Sequence, residues 1–132
     1  MESVHIIRSI TDEHAIIELR SDGILRIVFK ENFTLDVENQ EKLFKKYIEF
    51  CQGEKYPFLF EAMDNVTITK EARENSKNLE ANSPSLATAV IANSLPYRLI
   101  ANFYMKFNKP KIPFRIFRRQ EDALEWLYKY RK

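Results

Sequence analysis

Leu86-Ala87-Thr88-Ala89-Val90-Ile91-Ala92 runs directly into Asn93-Ser94-Leu95-Pro96, and no charged residue lies between Glu80 and Arg98. A short run of small and β-branched apolar residues, bounded by turn formers, is the pattern of a strand covered on both faces. Such a strand sits inside a parallel sheet with helices above and below it. Downstream, Pro96 opens a helix over residues 95–107, at a position where proline is tolerated. Lys109-Pro110 and Ile112-Pro113 then force extended backbone into a last strand, Phe114–Phe117. Glu121 and Asp122 favour the start of a final helix through its dipole, with Ala123, Leu124, Leu127 and Tyr128 as its face and Trp126 at the edge.

Upstream of the central strand, Thr69 caps a helix reaching about Asn82. It has only Ala72, Leu79 and small polar residues to bury, so its face is thin. Pro57 opens a strand Phe58–Ala62, where a missing N–H does least harm. Asp36 caps a helix to about Gln52, with Gln40, Leu43, Phe44, Tyr47, Ile48 and Cys51 on one face, and Gly53 ends it. His14–Arg20 alternates apolar and charged side chains, Ser21-Asp22-Gly23 turns tightly, and Ile24–Lys30 returns with Leu25, Ile27 and Phe29 on one face. Residues 3–10 read as a short strand or arm. The order is β-β-α-β-α-β-α-β-α. That predicts an α/β fold: an N-terminal β-hairpin, then alternating strand–helix units in a mixed, mostly parallel sheet packed with four helices, as one domain over 1–132.

The chain has 132 residues, 45% of them hydrophobic and 30% charged, the mixture of a globular domain rather than a disordered one. One cysteine excludes an internal disulfide framework and fits a reducing compartment. No signal peptide is visible, and the uncharged run is too interrupted by Asn, Ser and Pro to span a membrane, so a cytoplasmic location is expected. The net charge is +2, yet residues 98–119 hold Arg98, Lys106, Lys109, Lys111, Arg115, Arg118 and Arg119 with no acid, leaving −5 for the remainder. An asymmetry of that kind concerns partners rather than fold.

No motif specifies a reaction. His5 and His14 lie near no thiol or carboxylate in a recognised spacing, Cys51 sits on an apolar helix face, and two glycines cannot build a phosphate loop. No catalytic residue, metal site or cofactor is expected, and nucleic acid binding is not, because Phe114 and Phe117 are committed to a strand.

The order of elements resembles the STAS fold of anti-sigma-factor antagonists, and Phe114-Arg115-Ile116-Phe117 through Leu127 is similar to the ending of SpoIIAA-like bacterial proteins. Lys55-Tyr56-Pro57, Ile68 to Arg73, Ile100-Ala101-Asn102-Phe103 and Asn108-Lys109-Pro110 resemble a family of small uncharacterised bacterial proteins. The resemblance implies a non-enzymatic regulatory or protein-interaction domain. Where STAS antagonists carry a phosphorylatable Asp-Ser-Ser-Gly, this chain has Thr69-Lys70-Glu71-Ala72, so the phospho-serine switch is not intact. The alternative is a carrier or sensor of a small apolar, lipid-like or anionic ligand, because the fold family is also compared with Sec14-type lipid-binding domains.

Two surfaces follow. The carboxyl ends of the parallel strands bring Asp64, Asn65, Thr67, Thr69, Asn93, Ser94, Arg118 and Arg119 to one rim, suited to a phosphate, a carboxylate or a protein partner. Tyr97, Phe103, Tyr104 and Phe107 exceed what one buried helical stripe needs, which predicts a homodimer contact or the wall of an apolar pocket.

Overall fold

The computed structural model describes residues 3–92 and 110–132. The helix expected over 95–107 lies outside the described residues, as do Asn93, Ser94, Arg98, Lys106, Lys109 and the dimer residues Tyr97, Phe103, Tyr104 and Phe107. Three α-helices stand among the described residues: α1 (Val37–Cys51), α2 (Lys70–Leu79) and α3 (Gln120–Tyr128).

The strands are β1 (Ile6–Thr11), β2 (Ala15–Arg20), β3 (Leu25–Phe29), β4 (Thr34–Leu35), β5 (Tyr56–Ala62), β6 (Thr67–Ile68), β7 (Ser85–Ile91) and β8 (Phe114–Phe117). Six of them form one sheet in the order β1-β2-β3-β5-β7-β8. β1, β2 and β3 are antiparallel, and β3, β5, β7 and β8 are parallel. The arm at residues 3–10 is thus a strand that extends the hairpin to a three-stranded meander.

Side-chain alternation gives the sheet two distinct faces. Ile17, Ile27, Phe29 and Phe58 lie on the face covered by α1, with Leu43, Tyr47, Phe50 and Cys51 of that helix. Leu59, Ala87 and Ala89 lie on the other face, under Ala123 and Leu127 of α3. In α1 the buried stripe includes Phe50 rather than Ile48, which is 42% exposed. The reason is β1: its Arg8 guanidinium lies 4.7 Å from the Phe50 ring centre, so sheet and strand cover that side of the helix.

β4 and β6 form a separate two-stranded parallel ribbon, pairing Thr34 with Thr67 and Leu35 with Ile68. Two residues per strand carry no readable period, so the ribbon is not legible before folding. The ribbon sets the N-termini of α1 and α2 side by side. Asp36 Oδ1 accepts from the Asn39 N–H at 2.8 Å, and Thr69 Oγ1 from the Ala72 N–H at 3.0 Å, as N-caps do. α1 closes one residue earlier than expected, with Gln52 and Gly53 both at positive φ, 51° and 83°.

The β1–β2 turn is built on Asp12, whose Oδ1 accepts the N–H groups of His14 and Ala15 at 2.7 and 2.8 Å while its other oxygen meets Lys46 of α1. Burial alone would raise the Asp12 carboxyl, but the Lys46 ammonium and these two N–H groups outweigh it and hold it at about 2. A carboxyl lowered on folding stabilises the native state above its unfolded pKa and loses that contribution as pH falls through the folded one. Asp12→Asn is therefore expected to cost about 1 kcal/mol near neutral pH, after allowance for solvent screening of the part-exposed pair. The difference should shrink from about pH 4 downward and vanish near pH 2, read as converging urea midpoints.

Candidate functional site

The strand order places the site. From β3 through β5 and β7 to β8 the parallel strands advance in one direction without reversal. Ligand crevices at carboxyl ends form where winding reverses, and this sheet has no such point among the described strands. A mostly apolar open space lies instead on the face of α1 and α2. There a cavity of about 440 Å³ runs along β5 and β7.

Its shape follows from which side chains are long and which are short. Phe44 and Tyr47 of α1 and Phe58 and Phe60 of β5 form one aromatic wall. Tyr47 meets Phe58 and Phe60 edge-on, with ring centres 5.9 and 6.1 Å apart, and burial raises its hydroxyl pKa far above the usual range. Val90 and Thr88 of β7 form the floor, and α2 contributes Arg73, Ser76 and Leu79. Only Ala72 of α2 is fully buried. A helix with so little to bury stands over the sheet without filling the gap beneath it. The thin face legible in the sequence is the physical origin of the cavity.

The polar groups around this space are largely engaged with one another. Gln40 Nε2 donates to the Ala72 carbonyl at 2.7 Å and to Ser76 Oγ at 3.1 Å, and Asn75 Nδ2 donates to Gln40 Oε1 at 3.0 Å. Arg73 Nη1 donates to the Ile68 carbonyl at 2.8 Å. Ser85 and Thr88 hydroxyls lie 3.0 Å apart. What remains for an occupant is mostly carbon surface.

The rim residues divide. Asp64 and Asn65 line the end of the cavity, but Thr67, Thr69, Arg118 and Arg119 do not. Around β5 the carboxyl-end groups close on the neighbouring loop. The Asp64 carbonyl accepts the Asn32 N–H at 3.1 Å, Asn65 Nδ2 donates to Asn32 Oδ1 at 2.8 Å, and both asparagines hold positive φ. The Thr67 N–H donates to the Phe33 carbonyl at 2.9 Å, and Thr69 is occupied as the α2 cap. Arg119 pairs with Glu121 and Asp122, each at 3.3 Å, so its own helix neutralises it. Arg118 is exposed, on the far side of β7 from Asp64.

Of the basic segment, Arg115 lies with its guanidinium 5.2 Å from the Phe117 ring centre. Lys111 is exposed, and its backbone N–H donates to both oxygens of Glu80 at 2.9 and 2.7 Å. Cys51 is 1% exposed and burial pushes its thiol up to about 11, which leaves it a core residue rather than a nucleophile. His14 stacks on Phe33 with ring centres 4.7 Å apart, and His5 lies exposed beside β1. No group of three metal-ligating side chains occurs among the described residues, and no helix among them is long and apolar enough to cross a membrane.

A family model described as a domain of unknown function (DUF7793) matches residues 17–131. Among solved structures the chain is similar to an uncharacterised protein of the DUF3478 family from Shewanella loihica PV-4, which has a SpoIIAA-like fold. The identity is 17% over 96% of this chain and 98% of that one, with a TM-score of 0.53. The likeness shows that the fold here is SpoIIAA-like. The chain is also similar to a protein of unknown function from Arthrobacter sp. FB24, at 20% identity over 84% of this chain and 96% of that one. That TM-score of 0.30 carries no argument. Comparison with curated proteins gives no match.

Proposed function

The chain belongs to the DUF7793 family, and we propose that it is a non-enzymatic regulatory binding domain whose ligand is a small apolar or lipid-like molecule held between α2 and the sheet. The observation that carries this reading is the cavity itself. About 440 Å³ is in the range of sites that take small organic ligands. Its aromatic wall of Phe44, Tyr47, Phe58 and Phe60 offers contact area without hydrogen-bonding demand. Gln40, Ser76, Arg73, Ser85 and Thr88 in its lining are already hydrogen-bonded within the protein, so a ligand rich in polar groups would find few partners there for its own.

The non-enzymatic half of the reading rests on the state of the usual reactive groups. The thiol is buried, His5 lies exposed, and His14, whose Nε2 is 3.3 Å from the exposed Glu13 carboxylate, does not line the cavity. A regulatory role means that occupancy is read by a protein partner. A part-exposed helix as thinly packed as α2 is the element whose position an occupant would change.

Native mass spectrometry of gently purified protein is expected to show a copurified apolar molecule. A fluorescent fatty-acyl probe should bind, and Val90→Phe, which adds bulk to the cavity floor, should weaken that binding about tenfold or more. Circular dichroism checks that the variant is folded, and Ser76→Leu on α2 fills the same space should it not be. Probe affinity unchanged in both folded variants would show that the cavity is not the site.

A further inference from the structure

Among the described residues, β1 ends the sheet with no further strand beside it. β1 is bonded to β2 alone. Val4, Ile6, Ile7 and Ile10 on and beside it are 49%, 46%, 55% and 44% exposed, four of the six large hydrophobic side chains exposed among the described residues. Edge strands are normally guarded by lysine, proline or short length. Residues 4–12 contain no lysine and no proline, and the one cation, Arg8, is drawn toward α1 over the Phe50 ring. Among the described residues the strand's guarding device is a shift in register between Ile6 and Arg8, and it leaves Arg8–Thr11 regular.

The direction of the backbone groups follows from the turn. The Asp12 N–H donates to the Ala15 carbonyl at 3.0 Å. Antiparallel alternation then points the peptide groups of Arg8 and Ile10 toward β2 and those of Ser9 and Thr11 outward. An outward donor and acceptor on Ser9 are free to be shared with another strand.

We propose that this edge pairs antiparallel with β1 of a second copy of the chain, about a two-fold axis through Ser9, joining two six-stranded sheets into one. Charge selects the partner and the register. With Ser9 opposite Ser9, Arg8 faces Ile10, Ile7 faces Thr11, Ile6 faces Asp12 and His5 faces Glu13, so no like charges meet. A register centred on Arg8 would set guanidinium against guanidinium. The other sheet edge is a poor mate: β8 has four residues and follows Pro113. A β1–β8 contact would also propagate as an open chain, whereas the two-fold contact closes at a dimer. This surface is separate from the cavity, and neither inference depends on the other.

Sedimentation equilibrium of the full chain is expected to show a dimer, and Ser9→Pro to raise its dissociation constant about a hundredfold or more. Proline there removes only an outward N–H, so circular dichroism and the urea midpoint should hold. Ser9→Cys should give a disulfide-linked dimer under mild oxidation, because residues facing across such a pair have Cα atoms about 5.5 Å apart. Buried Cys51 does not compete. Should Ser9→Pro fail to fold, Ile7→Lys with Ile10→Lys gives the same reading by setting charges on the joint. A wild-type monomer at high micromolar concentration, or a dimer that survives these changes with no Ser9→Cys cross-link, overturns the proposal.

Discussion

Leu59→Ala is expected to lower the stability of this domain by about 3–4 kcal/mol, the middle of the range for a leucine truncated in a rigid core. Leu59 is fully buried in the middle of β5, facing α3. Its neighbours Ala87, Ala89 and Ala123 are small, which lets the helix come close to the sheet. The fully buried bulk in that cluster is Leu59, Ile24 and Leu127, with half-buried Ile91, Phe117 and Leu124 packed against it. Alanines have no atoms to move into the space that a shortened Leu59 leaves, so the cavity term is paid nearly in full. For a domain whose whole stability is about 5–15 kcal/mol, this is a large fraction. The urea midpoint should fall by about 2 M. A fall below about 0.5 M would mean that α3 settles into the gap.

The second large effect is expected at Asp22, in the hairpin turn. Its side chain accepts Arg20 Nε and Nη2 at 3.1 and 2.9 Å, the Ile24 N–H at 3.3 Å and the Tyr128 hydroxyl at 2.7 Å. Its carbonyl accepts Arg131 Nη1 at 3.0 Å, and the Arg131 guanidinium lies 4.3 Å from the Tyr128 ring centre. Arg20 and Asp22 side chains are 12% and 7% exposed, so Asp22→Ala strands a mostly buried cation together with a phenol. Breaking such a pair from one side costs about 3 kcal/mol. Burial works to raise the Asp22 carboxyl, but Arg20 and Tyr128 outweigh it and hold it below the usual range. The direction fixes the pH dependence: the contribution is whole above the ordinary carboxylate pKa and fades as acid titrates the folded-state group. Protection of the α3 amides, taken relative to the intrinsic exchange rate at each pH, should fall in Asp22→Ala near neutral pH, and in the native chain on acidification. Protection of α3 unchanged in the variant would show that the helix is held by its apolar face alone.

How much of this was legible in the sequence depended on how local the cause was. The β2–β3 hairpin, the Asp36 and Thr69 caps, and the inward sets Ala15/Ile17/Leu19 and Leu25/Ile27/Phe29 depend on neighbours a few residues away, and each could be read directly. Phe50 for Ile48 could not, because the choice is made by Arg8 some forty residues earlier. The ribbon of β4 and β6 is too short for any period. The cavity was half legible. The poverty of α2 was plain, but a missing side chain becomes a space only when Phe58 and Phe60 are set across from it. The rim at the carboxyl ends rested on a general rule of winding whose condition, a reversal of strand order, cannot be seen without pairing.

The bond from Tyr128 to Asp22 joins residues 106 positions apart. During synthesis the hairpin can form early from its own turn, yet Asp22 then has only Arg20, the Ile24 N–H and water until residue 128 has emerged. Closing so long a loop costs conformational entropy before any contact rewards it. The turn that is easiest to make is therefore among the last to become fully stable, and the apolar strip beneath α3 stays uncovered for most of the time the chain is being built.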